Sequence, residues 1–148
     1  MFKKNPPKIL MVEDNTSNHP LFTKAFEDAG FIVIICPYVD AGFVDDVAGI
    51  KPDIISMDIM IGGPGLELEY GGLSAIRLLK QDERTSKIPI IVLSNFFEEN
   101  KVERARSEGA IDFISLQGHA VSTIPGFFLS YLENPKKYKP VHPFFQPQ

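Results

Sequence analysis

Several features that mark other protein classes are scarce in this chain of 148 residues. It has a single cysteine, Cys36, which excludes an internal disulfide and makes a reducing compartment the expected setting. No apolar run reaches the length of a membrane span, and no apolar segment typical of a signal peptide follows the basic N-terminus. We therefore expect a cytoplasmic protein that is not bound to a membrane.

Basic residues are not in excess either, since the formal net charge is −4. Surfaces that bind nucleic acid or anionic bilayers favour basic patches, so neither is an expected partner. A hydrophobic content of 44% and a charged content of 23% are ordinary for a globular protein. The length suits one domain with a buried core, and a protein partner is compatible with this composition.

Short apolar runs alternate with helical patterns along the chain. The apolar runs lie at residues 8–13, 31–36, 53–57, 88–94 and 110–115. The helical patterns lie at residues 21–29, 38–49, 72–82, 97–108 and 125–134. Most of the runs are continuously apolar, as expected of parallel strands that are covered on both faces. Five successive β-α units predict an α/β fold with a parallel sheet between two layers of helices.

The last stretch, residues 135–148, contains four prolines and no periodicity. This composition predicts an extended or disordered tail that follows a domain of residues 1–134. Phe144 and Phe145 are unusual in a solvated tail. They indicate docking on the domain or on a partner, and an ordinary frayed terminus is the alternative.

Polar side chains stand where three of the apolar runs end. Glu13 and Asp14 follow the first run, Asp58 follows the third and Ser94 ends the fourth. In parallel α/β sheets the carboxyl ends of the strands form the ligand-binding edge, so these side chains are expected to converge there. Carboxylates held close together repel one another unless a cation lies among them, and oxygen ligands suit Mg²⁺. The pattern predicts a magnesium site that receives a phosphate group.

Four segments resemble the receiver domain of bacterial two-component response regulators. They are KILMVEDN (8–15), PDIISMDIM (52–60), IPIIVLSN (88–95) and EGAIDFIS (108–115). The resemblance covers residues 8–132. It implies a flavodoxin-like (βα)5 fold, a doubly wound parallel sheet with strand order 2-1-3-4-5. It also implies a signalling module rather than an enzyme.

The resemblance also implies roles for individual residues. Asp58 is then the phosphoacceptor, Ser94 the switch hydroxyl and Phe113 the aromatic switch. The implied ligands of Mg²⁺ are Glu13, Asp14, Asp58 and the backbone carbonyl of Met60. The phosphoryl group is expected to come from a sensor histidine kinase or a phosphotransfer protein. Because no output domain follows residue 134, we expect signalling through a downstream protein partner, by a monomer or weak homodimer.

The chain departs from the family pattern at the end of the fifth strand. The family has Lys-Pro there, whereas this chain has Leu116 and Gln117, and no lysine lies between Lys101 and Lys136. His119 either substitutes in part for the lysine cation or is an ordinary surface histidine. The missing lysine favours a second hypothesis, a pseudo-receiver that binds partners without phosphorylation.

A second departure is the loop at residues 59–72, which is longer than the family's usual turn and rich in glycine. It acts as a lid or partner-binding segment, or else it is a tolerated surface insertion. A third class of function, an aspartate-based phosphatase, needs a carboxylate two residues after the nucleophile. Met60 occupies that position, so we set this class aside.

Overall fold

The computed structural model describes residues 5–61, 71–95 and 98–147 of the protein. Five strands are present in these ranges: β1 (Lys8–Val12), β2 (Ile32–Cys36), β3 (Ile54–Met57), β4 (Ile90–Ser94) and β5 (Asp112–Ser115). The α-helices in the same ranges are α1 (His19–Asp28), α2 (Phe43–Ile50), α3 (Gly72–Gln81), α4 (Glu99–Glu108) and α5 (Ile124–Glu133). Short 3-10 turns lie at Val121–Thr123 and Pro143–Phe145.

All five strands pair in parallel in the order β2-β1-β3-β4-β5. This arrangement confirms the predicted flavodoxin-like sheet. The chain reverses its direction of winding between β1 and β3, and the carboxyl ends of these neighbouring strands flank the crevice where such folds bind ligands. The two outer strands are β2 and β5. As an edge strand, β2 is only partly buried, whereas β3 and β4 are buried throughout.

Helices cover both faces of the sheet and enclose two apolar layers. One layer lies under α2, α3 and α4 and contains Phe43 and Ile76. The other lies under α1 and α5, where the rings of Phe26 and Phe128 meet edge to face with centroids 5.1 Å apart. Among the described residues, no helix combines the length and the apolar character that crossing a membrane requires.

The helix bounds follow from local chemistry at their ends. Helix α4 ends at Gly109, whose φ of 117° is a conformation that glycine adopts without strain. Helix α2 begins at Phe43 rather than near residue 38, because the Asp40 carboxylate accepts the backbone N–H of Gly42 at 3.0 Å and holds a turn there. The prediction that α4 starts at Phe97 falls on a position outside the described residues.

Residues 135–147, which we call the C-terminal strap, lie against the domain. Phe144 and Phe145 pack against the apolar layer under α4, while Val141 packs against the layer under α5. Docking on the domain is therefore the alternative that the structure shows for the two phenylalanines. Of the two alternatives for this stretch, an extended or a disordered tail, the structure shows an irregular segment with one 3-10 turn that lies against the domain.

Candidate metal and phosphoryl site

Backbone hydrogen bonds hold the predicted site residues in place at the carboxyl edge of the sheet. The Asp58 N–H donates to the Val12 carbonyl at 3.0 Å, one position beyond the end of β3. The Glu13 N–H likewise donates to the Cys36 carbonyl at 3.1 Å, one position beyond β1. Because each bond continues the ladder of the sheet, both acidic residues are fixed by the strands and not by a loose loop.

The three predicted acids come together at this edge. Glu13, Asp14 and Asp58 each offer a carboxylate oxygen, and these atoms all lie within 4.8 Å of one another. Glu13 is buried, Asp58 is half-buried and Asp14 is exposed. The cluster therefore opens to solvent on the Asp14 side and is closed on the Glu13 side.

Burial and neighbouring negative charge both act on the carboxyl group of Asp58. Burial raises the pKa of its carboxyl to about 7, and the negative charge of Glu13 contributes in the same direction. The backbone N–H of Met60 donates to Asp58 Oδ1 at 3.0 Å and opposes the rise. The charge of Asp14 adds a smaller increase. A cation among the three oxygens would relieve this repulsion.

The donor set fits Mg²⁺. It consists of hard carboxylate oxygens, which Mg²⁺ prefers, and it leaves one side open for water or phosphate oxygens. Met60, whose carbonyl was predicted as a further ligand, lies at the rim of the same cavity. The residues present are therefore those that a magnesium site requires.

A cavity of about 240 Å³ lies over the acids. The described residues that line it are Glu13, Asp14, Asn15, Asn18, Asp58, Met60, Leu93, Ser94, Asn95 and Leu116. Ser94 is only 2% exposed, so it meets the cavity from its floor. The volume accommodates a phosphoryl group with a metal ion and water, and not a large organic ligand.

Sequence reasoning missed the amides of this cavity. Asn15 follows the acidic pair directly, and its backbone N–H donates to Glu13 Oε2 at 3.0 Å. Asn18 comes from the turn before α1, and Asn95 follows Ser94. A polar residue immediately after a predicted site residue was the available signal for Asn15 and Asn95. Asn18 had no such signal, because the turn that brings it to the cavity is a tertiary feature.

Leu116 also lines the cavity, at the position where the family has its lysine. Its N–H donates to the Ser94 carbonyl at 3.0 Å, which fixes it beside β4. None of the described lining residues is basic. His119 does not replace the lysine there: its ring packs edge to face on Phe127 of α5, with centroids 5.3 Å apart. The structure therefore shows the surface alternative for His119.

Phe113 does not line the cavity; it lies on β5, the strand that pairs with β4. Its side chain is 2% exposed and belongs to the apolar layer under α4. Residue pairing within the sheet puts it beside Val92, two positions before Ser94. Its ring also meets the ring of His142 in the C-terminal strap, with centroids 5.9 Å apart. Phe113 thus lies between the Ser94 strand and the strap.

A glycine brings α3 against the backbone of Asp58. A Cβ atom added to Gly72 would lie 2.3 Å from the Asp58 carbonyl oxygen and 2.4 Å from Ile59 Cα. The Gly72 N–H also donates to the Ile59 carbonyl at 3.3 Å. Only glycine allows this close approach. The sequence showed a glycine-rich loop but gave no sign of which glycine mattered.

The rest of the predicted 59–72 loop lies outside the described residues at 62–70. The hypotheses of a lid, a partner-binding segment or a tolerated insertion therefore stay predictions.

Comparison with known proteins agrees with this geometry. The family model for the response regulator receiver domain matches residues 9–118. The polar-differentiation response regulator DivK of Brucella anthropi is 32% identical over 111 residues, covering 74% of this chain and 84% of that protein. DivK of Brucella abortus (strain 2308) is 32% identical over 109 residues, covering 72% of this chain and 81% of that protein.

Solved structures share the fold at lower identity. The receiver domain of a sensor histidine kinase from Pseudomonas aeruginosa PAO1 gives a TM-score of 0.71 at 21% identity, covering 87% of this chain and 99% of that one. That crystal structure has a magnesium ion coordinated in its active site cleft. The receiver domain of a DNA-binding response regulator from Colwellia psychrerythraea 34H gives a TM-score of 0.69 at 19% identity, covering 86% and 98% of the two chains.

Proposed function

The chain belongs to the response regulator receiver domain family, and we propose that it is a stand-alone receiver that accepts a phosphoryl group on Asp58. The donor is a phosphohistidine of a sensor histidine kinase or of a phosphotransfer protein. Output passes through contacts with a downstream protein. We further place the protein in the cytoplasm, as a monomer or weak homodimer.

The observation that carries this proposal is the acidic cluster at the carboxyl edge of the sheet. Asp58 stands among acidic neighbours with its backbone fixed by the β-ladder and by α3. An isolated structural carboxylate has no need of two further acids within 4.8 Å. A cation among these oxygens would relieve their repulsion, and a cation beside a fixed carboxylate is what phosphoryl transfer requires.

In the transfer step, an Asp58 carboxylate oxygen attacks phosphorus in line with the bond to the donor. The new O–P bond forms as the N–P bond of the phosphohistidine breaks, and the imidazole leaves. Glu13, Asp14, Asp58 and the Met60 carbonyl would hold Mg²⁺, which would supply positive charge next to the phosphoryl oxygens. The N–H of Met60 keeps Asp58 Oδ1 oriented.

The acyl phosphate then acts through Ser94 and Phe113. The Ser94 hydroxyl donates to a phosphoryl oxygen and draws the end of β4 inward. Phe113 follows, since its strand position is beside Val92 of β4. The result is a change in the surface formed by α4, β5 and α5, which is a phosphorylation switch acting on a two-state element.

A pseudo-receiver is the second candidate, and one observation favours it. Leu116 lines the cavity where the family has lysine, and the described lining residues include no basic side chain. Without that cation, phosphate binding and conformational change are less strongly coupled. In this alternative the domain binds its partners without phosphorylation.

Intact mass after incubation with Mg²⁺ and a small phosphodonor tests the first proposal. We expect one phosphoryl adduct in the wild type and none in Asp58→Ala. Asp53→Ala is the matched control, because Asp53 precedes β3 at the opposite edge of the sheet and accepts the Lys8 N–H at 2.7 Å. This variant should still form the adduct.

Titration with Mg²⁺ completes the test. Binding that is lost in Asp58→Ala and kept in Asp53→Ala supports the metal site. If no adduct forms with a phosphodonor or with purified kinases, and Mg²⁺ does not bind, the receiver proposal is overturned in favour of the pseudo-receiver.

A further inference from the structure

The C-terminal strap is attached to the domain through one buried carboxylate, Asp112, at the start of β5. Two strap amides donate to it: Val141 N–H to Oδ2 at 2.7 Å and His142 N–H to Oδ1 at 3.0 Å. The Tyr138 hydroxyl donates to Oδ2 as well. Asp112 has no solvent exposure, so its charge depends on these donors and on the N–H of Phe113 at 2.8 Å.

Aromatic contacts extend this attachment to both sides of β5. On the α5 side, the rings of Tyr131 and Tyr138 meet edge to face with centroids 5.5 Å apart. On the α4 side, the 3-10 turn Pro143–Phe145 packs against the helix. Between these two helices the strap contacts β5, the outer strand of the sheet, at Asp112 and Phe113. It therefore lies on the surface formed by α4, β5 and α5.

The strap contacts the switch residue of the proposed function directly. The His142 ring meets the Phe113 ring at a centroid distance of 5.9 Å, and His142 N–H is bonded to the residue before Phe113. Within the strap, His142 Nδ1 accepts the N–H of Phe144 at 3.1 Å, so His142 also orders the turn that packs on α4. A displacement of Phe113 would disturb these contacts together.

A solvent-open groove of about 830 Å³ runs beside the strap, with Glu103 and Arg106 of α4 on one side and Pro140 and Gln146 of the strap on the other. The strap is therefore not packed against α4 along its whole length. A segment that is held by a few localised contacts separates more readily than one packed continuously.

We propose that the C-terminal strap is an intramolecular occupant of the α4–β5–α5 surface, and that phosphorylation of Asp58 displaces it by moving Phe113 away from His142. The surface is then covered in the unphosphorylated protein and open to a partner in the phosphorylated one. This inference rests on the proposed function for its trigger. The docking of the strap on Asp112 is independent of that function.

Amide hydrogen exchange of the full chain measures the strap directly. Beryllium fluoride with Mg²⁺ serves as the probe, since it forms a tetrahedral mimic of a phosphoryl group on a carboxylate. We expect the amides of Val141 and His142 to be protected in the untreated protein and to exchange at least about tenfold faster in the loaded protein. Asp58→Ala should show no such change, and fluorine NMR reports loading separately.

Thermodynamic linkage provides a second measurement, whose value would not change if the strap had only a structural role. If loading releases the strap, weakening the strap must favour loading by the same factor. Tyr138→Phe removes one hydrogen bond to Asp112 and keeps the ring, so we expect it to lower the beryllium fluoride concentration at half-loading by roughly threefold to tenfold. The matched control is Tyr38→Phe, at an exposed tyrosine that follows β2 at the other edge of the sheet.

The outcomes separate the two proposals. If beryllium fluoride loads the site but the amide exchange of the strap does not change, and Tyr138→Phe has the same half-loading concentration as the wild type, the proposed displacement is overturned. A site that does not load overturns the proposed function and the trigger with it. In that case the untreated protein still decides docking: rapid exchange of Val141 and His142 in the wild type, or equal exchange in wild type and Asp112→Asn, overturns the strap attachment as well.

Discussion

Asp58, just after the carboxyl end of β3, and Asp112, at the start of β5, are two aspartates of one sheet with opposite surroundings. Asp58 lies among like charges, with the Met60 N–H as its described backbone donor, and burial raises its pKa to about 7. Asp112 is more deeply buried and lies among donors. These donors are the backbone N–H groups of Phe113, Val141 and His142 and the hydroxyl of Tyr138.

The contrast shows how burial alone fails to identify a functional carboxylate. A buried charge that is supplied with hydrogen bonds is a structural anchor. A buried carboxylate that is surrounded by like charges is destabilised by their repulsion, and binding of a cation can relieve it. Such a group is therefore a candidate functional residue. The following changes test that distinction, from the largest expected effect to the smallest.

Removing the anchor should be the most damaging change. Asp112→Ala leaves three strap donors and one β5 amide without their acceptor, so we expect the free energy of unfolding to fall by about 3 kcal/mol or more. Urea denaturation measures this, with Asp53→Ala as the matched control at an exposed aspartate. Equal stability of the two variants would contradict the anchor role.

Gly72→Ala should displace the backbone of Asp58 without changing the Asp58 side chain. The added Cβ overlaps the Asp58 carbonyl at 2.3 Å, so the backbone must shift. We expect a loss of about 1–3 kcal/mol in stability and a Mg²⁺ affinity lower by about tenfold. Gly126→Ala is the control, because a Cβ at that helical glycine meets nothing within 4 Å. Unchanged Mg²⁺ binding in Gly72→Ala would refute this account.

The pH dependence of the free energy of unfolding should reveal the raised pKa of Asp58. Its pKa is raised from 3.8 to about 7, so between these values the folded protein keeps a proton that the unfolded chain loses. In the absence of metal, this group therefore makes stability fall as the pH rises from about 4 to about 7, by roughly 1–3 kcal/mol. The difference between wild type and Asp58→Asn, measured by urea denaturation at several pH values, isolates it. A constant difference would contradict the expectation.

A positive charge introduced beside Asp58 should offset the like charges around its carboxylate, as hydrogen-bond donors do for Asp112. Leu116→Lys places an ammonium group at the cavity, which should lower the pKa of Asp58 and stabilise the phosphoryl oxygens during transfer. We expect the initial rate of adduct formation to rise roughly tenfold or more. Leu116→Met controls for the change in side-chain shape. If the lysine variant gains no rate over the methionine variant, the missing cation does not limit transfer.

A paired aspartate at the surface should show almost no effect. Arg84 holds the pKa of Asp82 at about 2 through hydrogen bonds, yet both side chains are on the surface. Ion pairs in solvent contribute little to stability. We therefore expect Asp82→Asn to leave the melting temperature and Mg²⁺ binding unchanged. A clear loss in either would mean that pairing matters here as much as burial.

The sequence predicted those parts of the molecule that depend on local pattern. Apolar runs and helical spacing identified the five β-α units, and the acids at the run ends identified the edge where Glu13 and Asp58 meet. Each of these features can be read within about ten neighbouring residues. The resemblance to receiver domains then supplied the strand order.

The remaining features depend on contacts between distant segments. The pairing of Asp112 with Tyr138 joins residues 26 positions apart, and nothing near either residue marks it. The close approach of Gly72 to Asp58 depends on where α3 packs. The composition of the strap left an extended and a disordered tail both open, because nothing in a proline-rich segment indicates the distant acceptor that holds it. The strap is held by side-chain and backbone donors to the buried carboxylate of Asp112 and not by a periodic apolar pattern. No local pattern in its sequence therefore predicted that it docks.

The course of the strap past β5 has a consequence for the behaviour of the protein at high concentration. An uncovered edge strand offers its free backbone groups to strands of other molecules, which is a common route to aggregation. Here the strap lies against β5 at Asp112 and Phe113, and it carries Pro140 and Pro143, which cannot donate to a β-ladder. The strap, which we propose as the occupant of the output surface, should therefore also hinder pairing of β5 with copies of the same chain.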